Sequence, residues 1–210
     1  MNSVLPLVPN GYSDIAPGHV ASVVTCLEMR TKPDAAAVPL PDGVTLEPIR
    51  NPELDSYREL FRTIGSDWLW YSRLIMSDVD LTAILADENV EVFVVRDQGR
   101  DIGMLELDFR EGDSCELVFL GLIAGTTGRG LGRAVMTFAT ERAWSRSIKR
   151  FWLHTCTFDS EAALSFYIRS GFEPFAFKIE VQADPRLTGH FPHSAAPHVP
   201  LILPDTKVRR

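Results

Sequence analysis

Gly125-Thr126-Thr127-Gly128-Arg129-Gly130-Leu131-Gly132-Arg133-Ala134 joins a strand-like run, Ser114 to Leu122, to a helix-like run that begins near Leu131. Glycines in such a junction let the backbone approach a ligand and turn free N–H groups toward it. The N-terminus of the following helix adds partial positive charge, which favours a phosphate or pyrophosphate. Arg129 and Arg133 add full charges. A Walker loop needs Gly-Lys-Ser/Thr after its glycines, and this stretch has none; a dinucleotide fingerprint needs a third glycine where Arg133 stands. A glycine-rich turn with no ligand is the plain alternative.

Outward from the loop, the chain alternates between two periodicities. Val44 to Ile49 predicts a strand, and Leu54, Tyr57, Leu60, Phe61 and Ile64 recur at helical spacing. Ser77 followed by Asp80 predicts a capped helix to Ala86. Val90 to Arg96 and Asp101 to Arg110 read as a hairpin turning at Asp97-Gln98-Gly99-Arg100, with Ser114 to Leu122 as the next strand. After the loop come a helix from about Leu131 to Ser147, a strand from Phe151 to Thr157, a helix from Asp159 to Ser170 stopped by Gly171, and a strand from Phe175 to Val181. The order implies an α+β or α/β domain. A β-α-β crossover sets Ser114–Leu122 parallel to Phe151–Thr157.

A second motif lies downstream of the loop. Asp159-Ser-Glu-Ala-Ala-Leu-Ser-Phe-Tyr-Ile-Arg-Ser-Gly171-Phe172 resembles the late segment of GNAT (N-acetyltransferase) superfamily members, Asn-x-x-Ala-x-x-x-Tyr-x-x-x-Gly-Phe, at Ala163, Tyr167, Gly171 and Phe172. The glycine loop is similar to that family's Gln/Arg-x-x-Gly-x-Gly/Ala at Gly130 and Gly132, with Thr127 in the Gln/Arg position. The resemblance covers roughly residues 44–182. The resemblance implies a central mixed sheet with a splayed parallel strand pair, flanked by helices. It implies acetyl-CoA as co-substrate, held by Leu120, Leu122, Thr127, Gly128, Arg129, Gly130, Gly132, Arg133 and Ser160. A main-chain N–H near Leu122 would polarise the thioester carbonyl.

Direct transfer to an amine needs an acid for the thiolate and a base for the amine. The resemblance makes Tyr167 the acid; the alternative is a core tyrosine packed on Phe166 and Phe172. Glu116 is one candidate base, in the apolar context Cys115-Glu116-Leu117-Val118-Phe119. His154 is the other, within the strand-like Phe151-Trp-Leu-His-Thr-Cys-Thr157. On the acceptor side, Trp68, Trp70 and Tyr71 could cage an amine or be packing residues, while Asp67 and Arg73 could read opposite charges on a substrate or be solvated.

Whole-chain properties bound the rest. The 210 residues carry a net charge of −7, which disfavours sequence-blind nucleic-acid binding. Cys26, Cys115 and Cys156 have no metal-ligand spacing and suit a reducing cytoplasm. No Lys or Arg precedes Arg30 and no apolar run is long enough to span a bilayer, so neither a secretory signal nor a membrane segment is expected. All 14 prolines lie at or before Pro52 or at or after Pro174. That frames a core at 44–182 between an N-terminal arm, 1–43, and a C-terminal arm, 183–210. His19–Met29 reads as an extra strand able to exchange with a partner in a homodimer. His190 and His193 lack further ligands at metal spacing, so no metal is expected. The functional expectation is acetyl transfer from acetyl-CoA to a small-molecule amine. A peptide N-acetyltransferase and a non-catalytic acyl-CoA-binding module are the alternatives.

Overall fold

The computed structural model describes Val8 and residues 10–34, 36–126 and 130–204. Seven strands, β1 His19–Met29, β2 Val44–Ile49, β3 Val90–Asp97, β4 Arg100–Asp108, β5 Ser114–Leu122, β6 Arg150–Cys156 and β7 Glu173–Ala183, form one sheet in the order β2-β3-β4-β5-β6-β1-β7. Every pairing is antiparallel except β5 with β6. Five helices flank it: α1 Leu54–Gly65, α2 Ser72–Ile75, α3 Asp78–Ala86, α4 Leu131–Trp144 and α5 Ala163–Arg169. The mixed sheet with one parallel pair is the architecture expected from the sequence.

Local chemistry explains the elements. Tyr57, Phe61 and Ile64 share one stripe of α1 and are buried against the sheet. Ser77 Oγ accepts from Asp80 N at 3.1 Å and caps α3. The β3–β4 hairpin closes through Gln98 at φ 48° and Gly99 at φ 81°, the two left-handed residues a tight two-residue hairpin requires. Pro48 is accommodated because β2 is an edge strand. α2, only four residues long, has no periodicity to read. α5 begins at Ala163 rather than Asp159, because the Asp159 carboxylate is engaged by Thr155 Oγ1 at 2.7 Å and Cys156 N at 2.8 Å.

Two cores sandwich the sheet. One, around Leu105, Leu117, Val135, Phe151 and Phe172, lies under α4 and α5; the other, around Phe61, Leu81 and Met104, lies under α1 and α3. The N-terminal stretch read as an arm with an extra strand is built into this body: β1 sits between β6 and β7 and pairs along both edges. It therefore offers no free edge for strand exchange. The last strand of the sheet is β7, whose Phe175, Phe177, Ile179 and Val181 are exposed. The C-terminal arm also packs on the body. Arg186 is buried, bonds Asp184 through Nε at 3.0 Å and Nη2 at 2.7 Å, and donates to the Val199 carbonyl at 2.8 Å. This pairing gathers Phe191, Ala196 and Val199 into the second core.

Candidate active site

β5 and β6 pair only between Ser114–Glu116 and Arg150–Trp152. Beyond Glu116 the strands part, while β5 stays bonded to β4 as far as Leu122. The parting opens a cleft between the two parallel strands, as expected, and two cavities adjoin there.

The larger cavity, about 580 Å³, lies between the end of β5, the start of α4 and α5. Leu122, Gly130, Gly132 and Arg133, four of the residues that the resemblance assigns to the coenzyme, line it. Gly130 precedes α4 at φ 75°, a left-handed conformation that glycine adopts without strain. Arg169, Phe166 and Met136 complete that side. Thr127, Gly128 and Arg129 lie outside the described residues. Ser160 lines neither cavity; its Oγ accepts from Ala162 N at 3.2 Å in the turn before α5. The opposite wall was not foreseen: Pro33, Ala36 and Val38 of the β1–β2 linker close the cavity. An ion pair from Lys32 to Glu141 of α4, at 2.6 Å, anchors that linker. A linker sequence carries no signal of what it crosses.

The smaller cavity, about 150 Å³, gathers Trp68, Trp70, Tyr71, Leu120, His154 and Tyr167. Trp70 Nε1 donates to Asp159 Oδ1 at 3.2 Å, and Tyr71 donates to Glu180 Oε1 at 2.9 Å. Trp68 faces the His198 ring at 5.9 Å, and His198 Nε2 lies 2.9 Å from the Phe158 carbonyl oxygen, so the C-terminal arm buttresses this wall. Gly121 permits the closure. A Cβ there would run into Ile64 Cγ2 and stand 2.8 Å from Trp70 Cη2.

His154 Nδ1 lies 3.4 Å from Glu116 Oε1, so the two candidate bases form one unit. Interaction with the Glu116 carboxylate raises the His154 pKa, against a smaller opposing effect of burial. Glu116 itself opens onto a third cavity, about 250 Å³, beside Asp108, Glu111 and Trp152. Burial, with a contribution from the Asp159 charge, pushes the Tyr167 phenol well above its ordinary value and keeps it protonated. Tyr167 also packs on Phe166 and Phe172 at 5.4 and 6.2 Å, so the structural and chemical readings of this residue are compatible. Burial and the Asp159 charge push the Cys156 thiol up as well, which makes it a poor nucleophile.

Arg73 does not join this group. It is buried, pairs with the fully buried Glu106, and lies under the Phe119 ring at 5.3 Å. A desolvated guanidinium needs a carboxylate partner. Tyr57 completes the cluster, donating to Glu106 at 2.7 Å. Sequence reasoning missed Asp159 and Glu180 as site residues. Asp159 had a signal, an acid between a strand and a helix; Glu180 had none, since its role depends on β7 lying beside β1. Among the described residues, no three His, Cys, Asp or Glu side chains cluster as a metal site, and no helix is long and apolar enough to cross a membrane.

With this geometry in hand, comparison adds a family. The model of the acetyltransferase (GNAT) family matches residues 54–172. No curated protein matches the chain. Among solved structures, a GCN5-related N-acetyltransferase from Kribbella flavida is similar over 81% of this chain and 62% of its own, with a TM-score of 0.52 and 18% identity. A functionally unknown conserved protein from Staphylococcus epidermidis is similar over 80% of this chain and 64% of its own, at 0.56 and 12%. An aminoglycoside acetyltransferase from an uncultured soil metagenomic sample is similar over 62% and 88%, at 0.51 and 17%. The chain thus spans less than two thirds of the length of the first two. At these identities the likeness is one of fold.

Proposed function

Because the chain belongs to the acetyltransferase (GNAT) family, we propose that it transfers the acetyl group of acetyl-CoA to the primary amine of a small molecule, directly and within a ternary complex. The observation that carries this reading is the junction of the two cavities. Leu122 and Phe166 line the larger, Leu120 and Tyr167 the smaller, and these are neighbours on the same two elements. A donor in one can therefore present its acyl group to an acceptor in the other.

The residues of the larger cavity suit coenzyme A. Arg133, Arg169 and the N-terminus of the 14-residue α4 favour phosphates. Leu122, Met136, Phe166 and Val38 offer apolar surface to the rest. The unpaired edge of β5 beyond Glu116 suits an extended amide-bearing arm, which would bond there as a strand does.

In the smaller cavity, Nδ1 of His154 is turned to Glu116, so Nε2 is the nitrogen that takes the amine proton. The new N–C bond forms as the C–S bond breaks. The Tyr167 phenol gives its proton to the departing thiolate. Glu116 holds the imidazole in the needed tautomer and stabilises its charged form. A binding module without turnover has no need of this His–Glu pair. A cavity of about 150 Å³ favours a small acceptor over a peptide.

Release of free CoA thiol from acetyl-CoA, followed against a panel of primary amines, tests the proposal. Turnover with one class of small amine is expected, together with loss in His154→Gln and Tyr167→Phe. Tight acetyl-CoA binding without turnover on any amine would contradict it.

A further inference from the structure

The smaller cavity has a one-sided chemistry. Among the described residues its lining contains no Lys or Arg, yet it contains the carboxylates of Asp159 and Glu180 and the rings of Trp68, Trp70, Tyr71 and Phe119, the last already facing Arg73. Asp159 already accepts from Trp70, Thr155 and the Cys156 amide, so it supplies charge more than a free acceptor. Glu180 takes the Tyr71 hydroxyl on Oε1, which leaves Oε2 for a ligand. Gln182, two residues along the same face of β7, also lines the cavity, and its side-chain oxygen is buried without a hydrogen-bond partner among the described residues. Lys178, on the same face of β7, does not line it. An exposed carboxylate beside a buried, unpartnered amide oxygen and aromatic faces, with no Lys or Arg in the described lining, are surroundings an ammonium group selects.

We propose that the acceptor is a small aliphatic diamine, with one ammonium held by Glu180 and Gln182 against the aromatic wall while its other amine meets His154. This rests on reading the cavity as the acceptor site of an acetyl transfer. The charge arithmetic favours two cationic centres over one. Glu116, Asp159 and Glu180 all bear on His154, so the field at the reacting nitrogen is negative and holds a lone amine in its protonated, unreactive form. A second ammonium on Glu180 neutralises part of that field. It also repels the first across a few methylenes, so the reacting amine gives up its proton to His154 more readily. The cavity, about 150 Å³, is below the usual ligand-pocket range of about 300–1,000 Å³ and suits a short chain rather than a ring system.

The test compares putrescine, butylamine and γ-aminobutyrate, which share one chain length and differ at the far end in charge. Expected is a kcat/KM for putrescine at least about tenfold above butylamine and about a hundredfold above γ-aminobutyrate, with Glu180→Gln erasing the putrescine advantage through KM, consistent with loss of a charge-assisted contact. Circular dichroism and acetyl-CoA binding check that the variant is folded. Equal efficiency of butylamine and putrescine, or an equal KM rise for both in Glu180→Gln, would overturn the inference. Calorimetry with N,N,N′,N′-tetramethylputrescine, a dication that cannot be acetylated, separates the two readings. Its binding to wild type but not Glu180→Gln, with no transfer to any amine, would uphold the dication site and sink the transfer reading. Its failure to bind while butylamine is acetylated would sink the dication site alone.

Discussion

His154 Nδ1 lies 3.4 Å from Glu116 Oε1, at the point where the parallel strands β5 and β6 stop pairing. The contact makes a single base out of two residues that are 38 positions apart in the chain. Its consequence is a pH profile. The Glu116 carboxylate raises the His154 pKa above the ordinary imidazole value of about 6.5. A base must be deprotonated to act, so kcat/KM climbs as pH rises through that raised value. Glu116→Gln removes the negative charge, lets the imidazole pKa fall, and moves the acidic limb to lower pH. The substitution also lowers the plateau, because the imidazolium formed during transfer loses its partner. A pH–rate series on both proteins reads the shift directly.

Tyr167→Phe should leave acetyl-CoA binding within about twofold and lower kcat about a hundredfold, the usual scale for losing a positioned acid. The packing on Phe166 and Phe172 survives the change, so a thermal melt should move little. The comparison of kcat with the melting temperature separates chemistry from stability.

Gly121→Ala places a methyl group into Ile64 and Trp70. Trp70 is tied to Asp159, so it yields only by breaking that hydrogen bond. The expected result is a KM for the amine raised about tenfold or more, as a displaced binding wall would give, with a smaller change in the acetyl-CoA KM. Steady-state kinetics in both substrates check it.

Val38→Asp puts a carboxylate in the wall that the β1–β2 linker contributes to the larger cavity. A charge set into this apolar wall of the cavity, of the same sign as the donor's phosphates, should weaken acetyl-CoA at least about tenfold and leave the amine KM unchanged. Calorimetric titration with acetyl-CoA measures the loss, which should diminish at high salt.

Much of this architecture was legible in the residues. The glycine loop, the Ala163-to-Phe172 motif and the alternation of strand and helix pointed to the mixed sheet and to the cleft between β5 and β6. Tyr167, His154 and the Trp68–Tyr71 stretch do meet in one cavity, and Leu120, read with the coenzyme-binding residues, lines that cavity rather than the larger one. The rest failed for identifiable reasons. Arg73 looked like a substrate-reading charge because a sequence does not say that Glu106, 33 positions away, is buried opposite it. The placement of β1 between β6 and β7 is a matter of non-local pairing, and a β-branched run does not name its partners. Pro33, Ala36 and Val38 became cavity lining only because β1 lies where it does. Glu180 entered the site for the same reason.

The most direct measurement is a rapid-quench single turnover with protein in excess over acetyl-CoA, run with and without amine, in which free CoA, acetylated amine and protein mass are followed together. Direct transfer predicts that CoA and acetylated amine appear in step, only when amine is present, and that the protein mass never changes. Release of CoA without amine, with the acetyl group retained on the chain at Cys156 or elsewhere, would contradict the account.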